Sequence, residues 1–335
     1  EGQDRPSLIW EIWDMLKLTV PIFVSMSSFV VMKATDSSLL GHSGTHYLEA
    51  VALSDLWTSS TGVFIQSRAV GMFCSQAYGA GNKELVGVWI QISYLVLFSV
   101  CLLVAAAWCA TGTVLRAVGK DEDLSSDANY FAVVLMLCLP VRIAFSQLSM
   151  FFSAQKIMRP GVVCATTGML LNLVLGLSLV LGIGVPGWKG LGFHACPWIT
   201  TCVEYVQFFI LIFIFCYCKQ LHQDCWPGWK KSHITRERLS RYLQQYVPQT
   251  LSGASDWWRV AAIGAIASSL GDINLAVWNT GYRICWMVLV FNGSLAAAMG
   301  IKSGQALGSG RGDQARRHAL VGVIVCTSLV TALSL

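Results

Sequence analysis

The sequence predicts an all-α membrane protein, a two-lobe bundle of transmembrane helices built as a six-plus-six pseudo-repeat, with about nine spans in the chain. Three observations predict it. Of the 335 residues, 55% are hydrophobic and only 12% are charged, with a mean hydropathy of +0.58. A soluble domain of this size is nearer a quarter charged. Uncharged runs recur at lengths that fit a ~30 Å hydrocarbon core, among them the 23 residues Ser93–Leu115 and the 24 residues Val162–Val185. Finally, Ala69–Gly81 (AVGMFCSQAYGAG) returns as Ala298–Gly310 (AMGIKSGQALGSG) at an offset of 229 residues, with six identical positions. These are Ala69/Ala298, Gly71/Gly300, Gln76/Gln305, Ala77/Ala306, Gly79/Gly308 and Gly81/Gly310. An internal repeat in a membrane protein suggests two bundles about a shared axis, with a site between them. Shared helix-end chemistry is the alternative, since Gly is enriched just past helix ends. Gly alone would not also reproduce the Gln-Ala pair.

The elements follow in order. Polar Glu1–Trp13 leads into span one, about Met15–Leu40, and Gly41–Gly44 forms a turn. Span two is about Ala50–Tyr78 and span three about Val86–Leu115. After the mostly acidic loop Arg116–Asp127 comes span four, about Asn129–Ala154. Span five is Val162–Val185 and span six about Leu191–Cys218. The longest polar stretch, Lys219–Arg241, precedes span seven (about Tyr242–Leu270), span eight (Ile273–Ile301) and span nine (Ala319–Leu335). The expected division is a first six-helix lobe over 1–218, a linker over 219–241 and a partial second lobe of three helices over 242–335. The closing apolar run has no polar flank, so the chain is expected to stop within or just after a membrane helix.

Charge sets the orientation. With the N-terminus inside, inner segments hold thirteen Lys and Arg and outer loops only Arg116, Lys120 and Lys189. This is the positive-inside pattern. The basic run Lys219–Arg241 reads as an inner loop near anionic lipid and not as a nucleic-acid surface. Thirteen Trp and nine Tyr fit interfacial belts. The twelve Cys have no paired CxxC spacing, and most lie in apolar runs, where Cys acts as a small hydrophobe. No metal site, disulfide framework or cofactor is read from them. His42 and His46 are four apart but lack a third His and a carboxylate motif, so an embedded enzyme is disfavoured.

Several motifs then point to one family. Pro21, Asp36 with Gly41-His42-Ser43-Gly44, and Leu48-Glu49-Ala50 resemble the first-helix signature of multidrug and toxic compound extrusion (MATE) transporters. Cys74–Gly81 with Gly87-Val88-Trp89-Ile90-Gln91 resembles their second-to-third-helix signature. Pro248 with Asp256-Trp257-Trp258 is similar to their seventh helix, and Gly304–Gly310 with Ala315-Arg316 to the eighth-to-ninth. Gly41-His42 resembles the eukaryotic branch. The resemblance implies twelve helices in two lobes, of which this chain would lack the last three. It also implies efflux of small organic solutes in exchange for H+ or Na+, from a multi-pass monomer in a plasma or organelle membrane, with lipid as its surrounding partner.

Intramembrane charge is costly and hence functional or paired. The resemblance carries cation coupling onto Asp256 and Asp36. Aligning Pro21 with Pro248 sets the two acids apart by seven residues, roughly 10 Å along a helix, with Asp36 nearer the outer surface and Asp256 deeper. Asp256 adjoins Trp257 and Trp258, able to stack on a flat organic cation, and is expected to lead. Lys33 and Arg259 lie three residues from Asp36 and Asp256, so a paired, structural role is the competing reading. Asn172 matches a fifth-helix amide of the family, but Gly176 stands where bacterial members often have an acid. Glu204 is a possible replacement, or else is bonded to a neighbouring hydroxyl or base. Gln76 and Gln305 are expected to satisfy backbone at helix ends. Arg68, Arg142 and Arg283 either pair with acids or suit the cavity to organic anions. An organic-anion exporter and a lipid flippase of the same superfamily therefore stay open as alternatives.

Overall fold

Among the described residues twelve α-helices follow one another, with short 3-10 and π-helical turns between some of them, and no strand occurs. The computed structural model describes residues 7–184, 186–270 and 272–334, with side chains described except at 43, 265, 268–269, 272–277, 279–280, 283–284 and 333–334. Helix α1 (Leu8–Ser43) starts where the Trp10 N–H donates to Ser7 Oγ at 3.3 Å, and it stops at Gly44, whose φ is +138°. Helix α2 (Thr45–Gly62) runs through a 3-10 turn, Val63–Ile65, into α3 (Ala69–Gly79). Asn82 caps α4 (Lys83–Cys109), accepting from the Leu85 N–H at 3.0 Å. Then follow α5 (Thr111–Ala117), α6 (Glu122–Met136), α7 (Leu139–Ala154), α8 (Arg159–Leu175) and α9 (Ala195–Ile210). Pro140 and Pro160 sit in the first turns of α7 and α8, where no backbone donor is lost. The chain ends with α10 (Arg236–Ser269), α11 (Asp272–Gly308) and α12 (Gly312–Ser334).

Six described helices are long and apolar enough to cross a membrane, and seven if the pair α6–α7, bent by 48°, counts as one. The expected span two is broken at Gln66–Arg68 instead of continuous. The carbonyls freed there are satisfied from other helices, as an intramembrane break requires. Tyr246 of α10 donates to the Phe64 carbonyl at 2.7 Å, and Gln147 of α7 donates to the Ser67 carbonyl at 3.3 Å. Spans five and six finish in π-helical turns, Gly176–Val180 and Leu211–Cys218. Helix α10 is too polar on average to count as a span by composition: beyond its charged first turns, Gln244, Gln245, Gln249, Asp256 and Arg259 interrupt the apolar residues.

One large apolar core joins α1–α4 and α6–α9 around Trp89, Leu97, Phe131, Phe151 and Val203, and extends to Tyr242 and Tyr246 of α10, whereas Leu115 of α5 packs in a small cluster with Ala50, Leu124 and Ala128. A separate cluster packs Met15 and Leu18 of α1 against Leu295, Ala298 and Ile301 of α11 and Val321 of α12. Two ion pairs flank it: Arg317 Nε donates to Glu11 Oε2 at 2.8 Å, and Lys302 pairs with Asp14. Glu11 and Lys302 are buried.

The two copies of the sequence repeat pack against each other. A Cβ at Gly79 would overlap the Gln305 carbonyl, and a Cβ at Gly308 would overlap the Gln76 carbonyl. Residues 76/305 and 79/308 are repeat equivalents, so the crossing of α3 and α11 is reciprocal, as a two-fold relation demands. Gly81 and Gly310, also equivalent, have φ of +75° and +74° and end their helices in the left-handed region. Helix-end chemistry thus accounts for one of the three pairs of repeated glycines, and close backbone packing for a second.

Candidate functional site

Asp36 is buried on α1 among uncharged donors. Asn172 Nδ2, near the end of α8, donates to Asp36 Oδ1 at 2.9 Å. Thr200 Oγ1 of α9 donates to Asp36 Oδ2 at 2.8 Å. Gly176, just past α8, lies against this site, and a Cβ there would overlap the tip of the Leu39 side chain one turn along α1. A larger residue, including the acid of bacterial patterns, requires Leu39 to move aside. The Asn172 Oδ1 is buried and has no hydrogen-bond partner among the described residues. An amide with one end on a carboxylate and the other unpaired can turn over: its nitrogen serves a carboxylate, its oxygen a protonated acid.

Lys33 pairs elsewhere. Its Nζ lies 2.7 Å from Asp55 Oδ1 on α2 and 5.9 Å from the centre of the Phe131 ring. The three-residue spacing on α1 suggested a Lys33–Asp36 pair, but a carboxylate on the facing helix takes the ammonium. Asp36 therefore keeps no ion-pair partner among the described residues, and Asp55, missed in the sequence, neutralises the adjacent base.

A second buried pair lies one layer away. Arg142 of α7 donates from Nε to both Glu204 oxygens, at 3.2 and 3.0 Å, and its Nη2 also contacts Glu204. The guanidinium rests over Phe29, 5.5 Å from the ring centre. These groups line a cavity of about 70 Å³ with Ser25, Ser28, Met32 and Gln207. Glu204 is thus bonded to a base and does not stand in for an acid beside Asp36, which is held by Thr200 from the same helix. As expected, Gln305 serves a helix end: its Nε2 donates to the Ala154 carbonyl, the last residue of α7, at 2.7 Å.

Asp256 and Arg259 form the expected pair on α10, at 3.1 Å, with both side chains about two-thirds exposed at 67% and 68%. Trp258 is exposed. Trp257 packs on Trp286 of α11 with centroids 5.0 Å apart, and the rings continue to Tyr282 at 5.5 Å and Trp278 at a further 5.6 Å. This ladder follows from aromatic residues four apart on α11, a helical spacing visible in the sequence but not singled out there. The Arg283 side chain lies outside the described residues. His46 Nε2 lies 3.1 Å from Asp127, whereas His42 Nδ1 lies 2.9 Å from the Ser38 carbonyl, so the two His do not share a partner.

The MatE family model matches residues 21–177 and 248–335, most of the chain. The chain belongs to the MatE family. Among curated relatives, it is 28% identical over 335 residues to multidrug and toxin extrusion protein 1 of Xenopus tropicalis, covering 98% of this chain and 56% of that one. The human protein of the same name is 26% identical, with coverages of 97% and 56%. The chain thus spans about half the length of the curated relatives it matches. The crystal structure of the eukaryotic MATE transporter AtDTX14 superimposes with a TM-score of 0.84 at 21% identity, covering 95% of this chain and 70% of that one. These likenesses make this MatE chain a multi-pass integral membrane protein. Asp36, Asp55, Arg142, Asn172 and Asp256 fall in the matched segments, whereas Thr200 and Glu204 fall between them.

Proposed function

We propose that this MatE chain serves a secondary active antiporter that exports small organic cations in exchange for protons, with Asp36 as the principal coupling acid. The observation that carries the reading is the Asp36 site itself: a buried carboxylate held by two uncharged donors, beside an amide oxygen with no partner. A lone carboxylate in such a place gains or loses one proton with one local rearrangement, the turn of Asn172. Both of its neighbours already donate, which suits proton exchange better than the all-acceptor shell of a metal cation. The sequence led us to expect Asp256 first. Its pairing with Arg259 supports the reverse order, with Asp256 secondary.

Export of organic solutes is the activity in the names of the multidrug and toxin extrusion relatives. A cationic substrate is supported by the ladder of Trp257, Trp286, Tyr282 and Trp278, since aromatic faces attract cations. The organic-anion and flippase alternatives needed free bases in the core. Arg142 does not supply one, its charge being taken up by Glu204. Residues 1–218 and 242–335 act as the two lobes, linked by 219–241, and the reciprocal crossing of α3 and α11 forms part of their shared axis. Opening at the end that carries Glu11, Asp14, Lys302 and Arg317 requires the two ion pairs there to part. Vesicles holding the protein and a fluorescent organic cation test this reading under an imposed pH or Na+ gradient. Efflux driven by the pH gradient alone is expected. Efflux that follows only Na+ would contradict proton coupling, and efflux indifferent to both would contradict antiport.

A further inference from the structure

A groove of about 900 Å³ runs between α4, α7 and the π-helical turn after α9. It shares no lining residue with the Asp36 cluster or the Arg142–Glu204 cavity. Two of its walls, α4 and α9, belong to helices apolar enough to cross a membrane, and Leu102 on its rim is 73% exposed. One end is closed by the chain segment that follows α9. That segment is clamped to α4: the Cys225 carbonyl and Pro227 sit where a Cβ of Gly87 would be, Gln91 Nε2 donates to the Gly228 carbonyl at 2.9 Å, and Lys83 lies 3.7 Å from Asp224. The clamp holds Trp226 and Trp229 edge to face, 5.4 Å apart, over the groove.

Two polar atoms at this closed end have no partner among the described residues. Gln91 is fully buried and its Oε1 accepts no hydrogen bond there, and the Nδ1 atom of the half-buried His222 is likewise covered and unpaired. Both residues line the groove. Leaving such atoms unpaired away from water carries a penalty, so each calls for a partner. The neighbouring Tyr94 hydroxyl already donates to the Ala144 carbonyl at 3.1 Å and does not serve them. No Lys, Arg, Asp or Glu lines the groove among the described residues. A phosphate there would meet no cation, whereas a hydroxyl suits the neutral Gln91 Oε1 and a His222 Nδ1–H once a small side-chain shift uncovers them. The walls are flat as well as apolar, with Tyr94 stacked on Phe98 at 5.7 Å and the Trp pair at the end.

We propose that this groove is a binding site for a sterol, its hydroxyl bonded to Gln91 and His222 and its fused rings lying along α4 and α7. The inference rests on the membrane location of the chain and not on its transport reading.

Photolabelling in phosphatidylcholine liposomes tests it, with a diazirine-bearing sterol and, in parallel, a diazirine-bearing phosphatidylcholine. The sterol probe is expected to label peptides covering Tyr94–Leu102 and Phe208–Cys216. Unlabelled sterol should displace it, and the same sterol oxidised to a ketone, which cannot donate, should compete about tenfold less well. Gln91→Leu should erase the preference for hydroxyl over ketone. Ser99→Trp, at an exposed position on the groove wall, should block labelling without touching the clamp. Equal labelling of these peptides by the phosphatidylcholine probe, undiminished by excess sterol, would show ordinary boundary lipid and overturn the proposal. Wild-type labelling in Ser99→Trp would overturn it too.

Discussion

Asp36, Lys33 and Glu204 show how far a residue's chemistry depends on neighbours distant in sequence. An acid three residues from a lysine on one helix is a plausible pair. Here the lysine faces α2 and bonds Asp55, leaving the acid to Asn172 and Thr200 from helices 136 and 164 residues away. The sequence identified Asp36 and Asn172 through motif resemblance. Thr200 carried no signal, because a threonine in an apolar run is unremarkable until the facing helix is known. Glu204 and Arg142 were both singled out, but their pairing across 62 residues was not legible. Removing one member of a buried pair strands the other, at a cost of about 3–5 kcal/mol, whereas replacing both with apolar groups is often neutral. Glu204→Leu should therefore lower thermal stability sharply in detergent micelles, and adding Arg142→Met should recover most of the loss. If the single and double variants melt alike, Arg142 does not depend on Glu204. A smaller effect is expected at the helix end that Gln305 serves. Gln305→Ala frees the Ala154 carbonyl and should cost about 1 kcal/mol in the same assay.

At the scale of elements, run length placed the nine apolar spans but not the interruptions within them: spans two, three and four each hold two helices. Span two reads as one apolar stretch from Ala50 to Tyr78, yet it breaks at Gln66–Arg68, where Gln147 and Tyr246 meet the freed carbonyls. No local pattern announces a break whose compensation comes from two other helices. The repeat was fully legible, and the structure adds why its glycines differ. Gly79 and Gly308 lie under the backbone of the partner copy, whereas Gly71 and Gly300 have nothing within 4 Å of where a Cβ would stand. Gly79→Ala or Gly308→Ala should force α3 and α11 apart and destabilise by at least the 1–3 kcal/mol (about) of core overpacking. Gly71→Ala and Gly300→Ala should instead be neutral or stabilising by up to about 1 kcal/mol, since Ala suits a helix interior better than Gly. Thermal unfolding of the four variants checks the contrast. Matching effects at the two members of each pair would bear out the two-fold relation, and unequal ones would contradict it.

For the whole molecule, alternating access requires contacts that exist in one state and part in another. The candidates are the Glu11–Arg317 and Asp14–Lys302 pairs, which tie the start of α1 to α11 and α12 beside the Met15–Ile301 cluster. Glu11→Arg and Arg317→Glu should each slow transport by loosening this end, and the double exchange should restore it. Failure of the double variant to recover would mean the pair has no gating role. For coupling, the sequence resemblance puts Asp256 first, and we propose Asp36 in its place. The most direct measurement is efflux of a fluorescent organic cation against external pH, for Asp36→Asn and Asp256→Asn in matched vesicles. Asp36→Asn should abolish the pH dependence while leaving membrane insertion intact, and Asp256→Asn should reduce efflux but keep its pH dependence. A flat pH profile in Asp256→Asn together with a wild-type profile in Asp36→Asn would contradict the account.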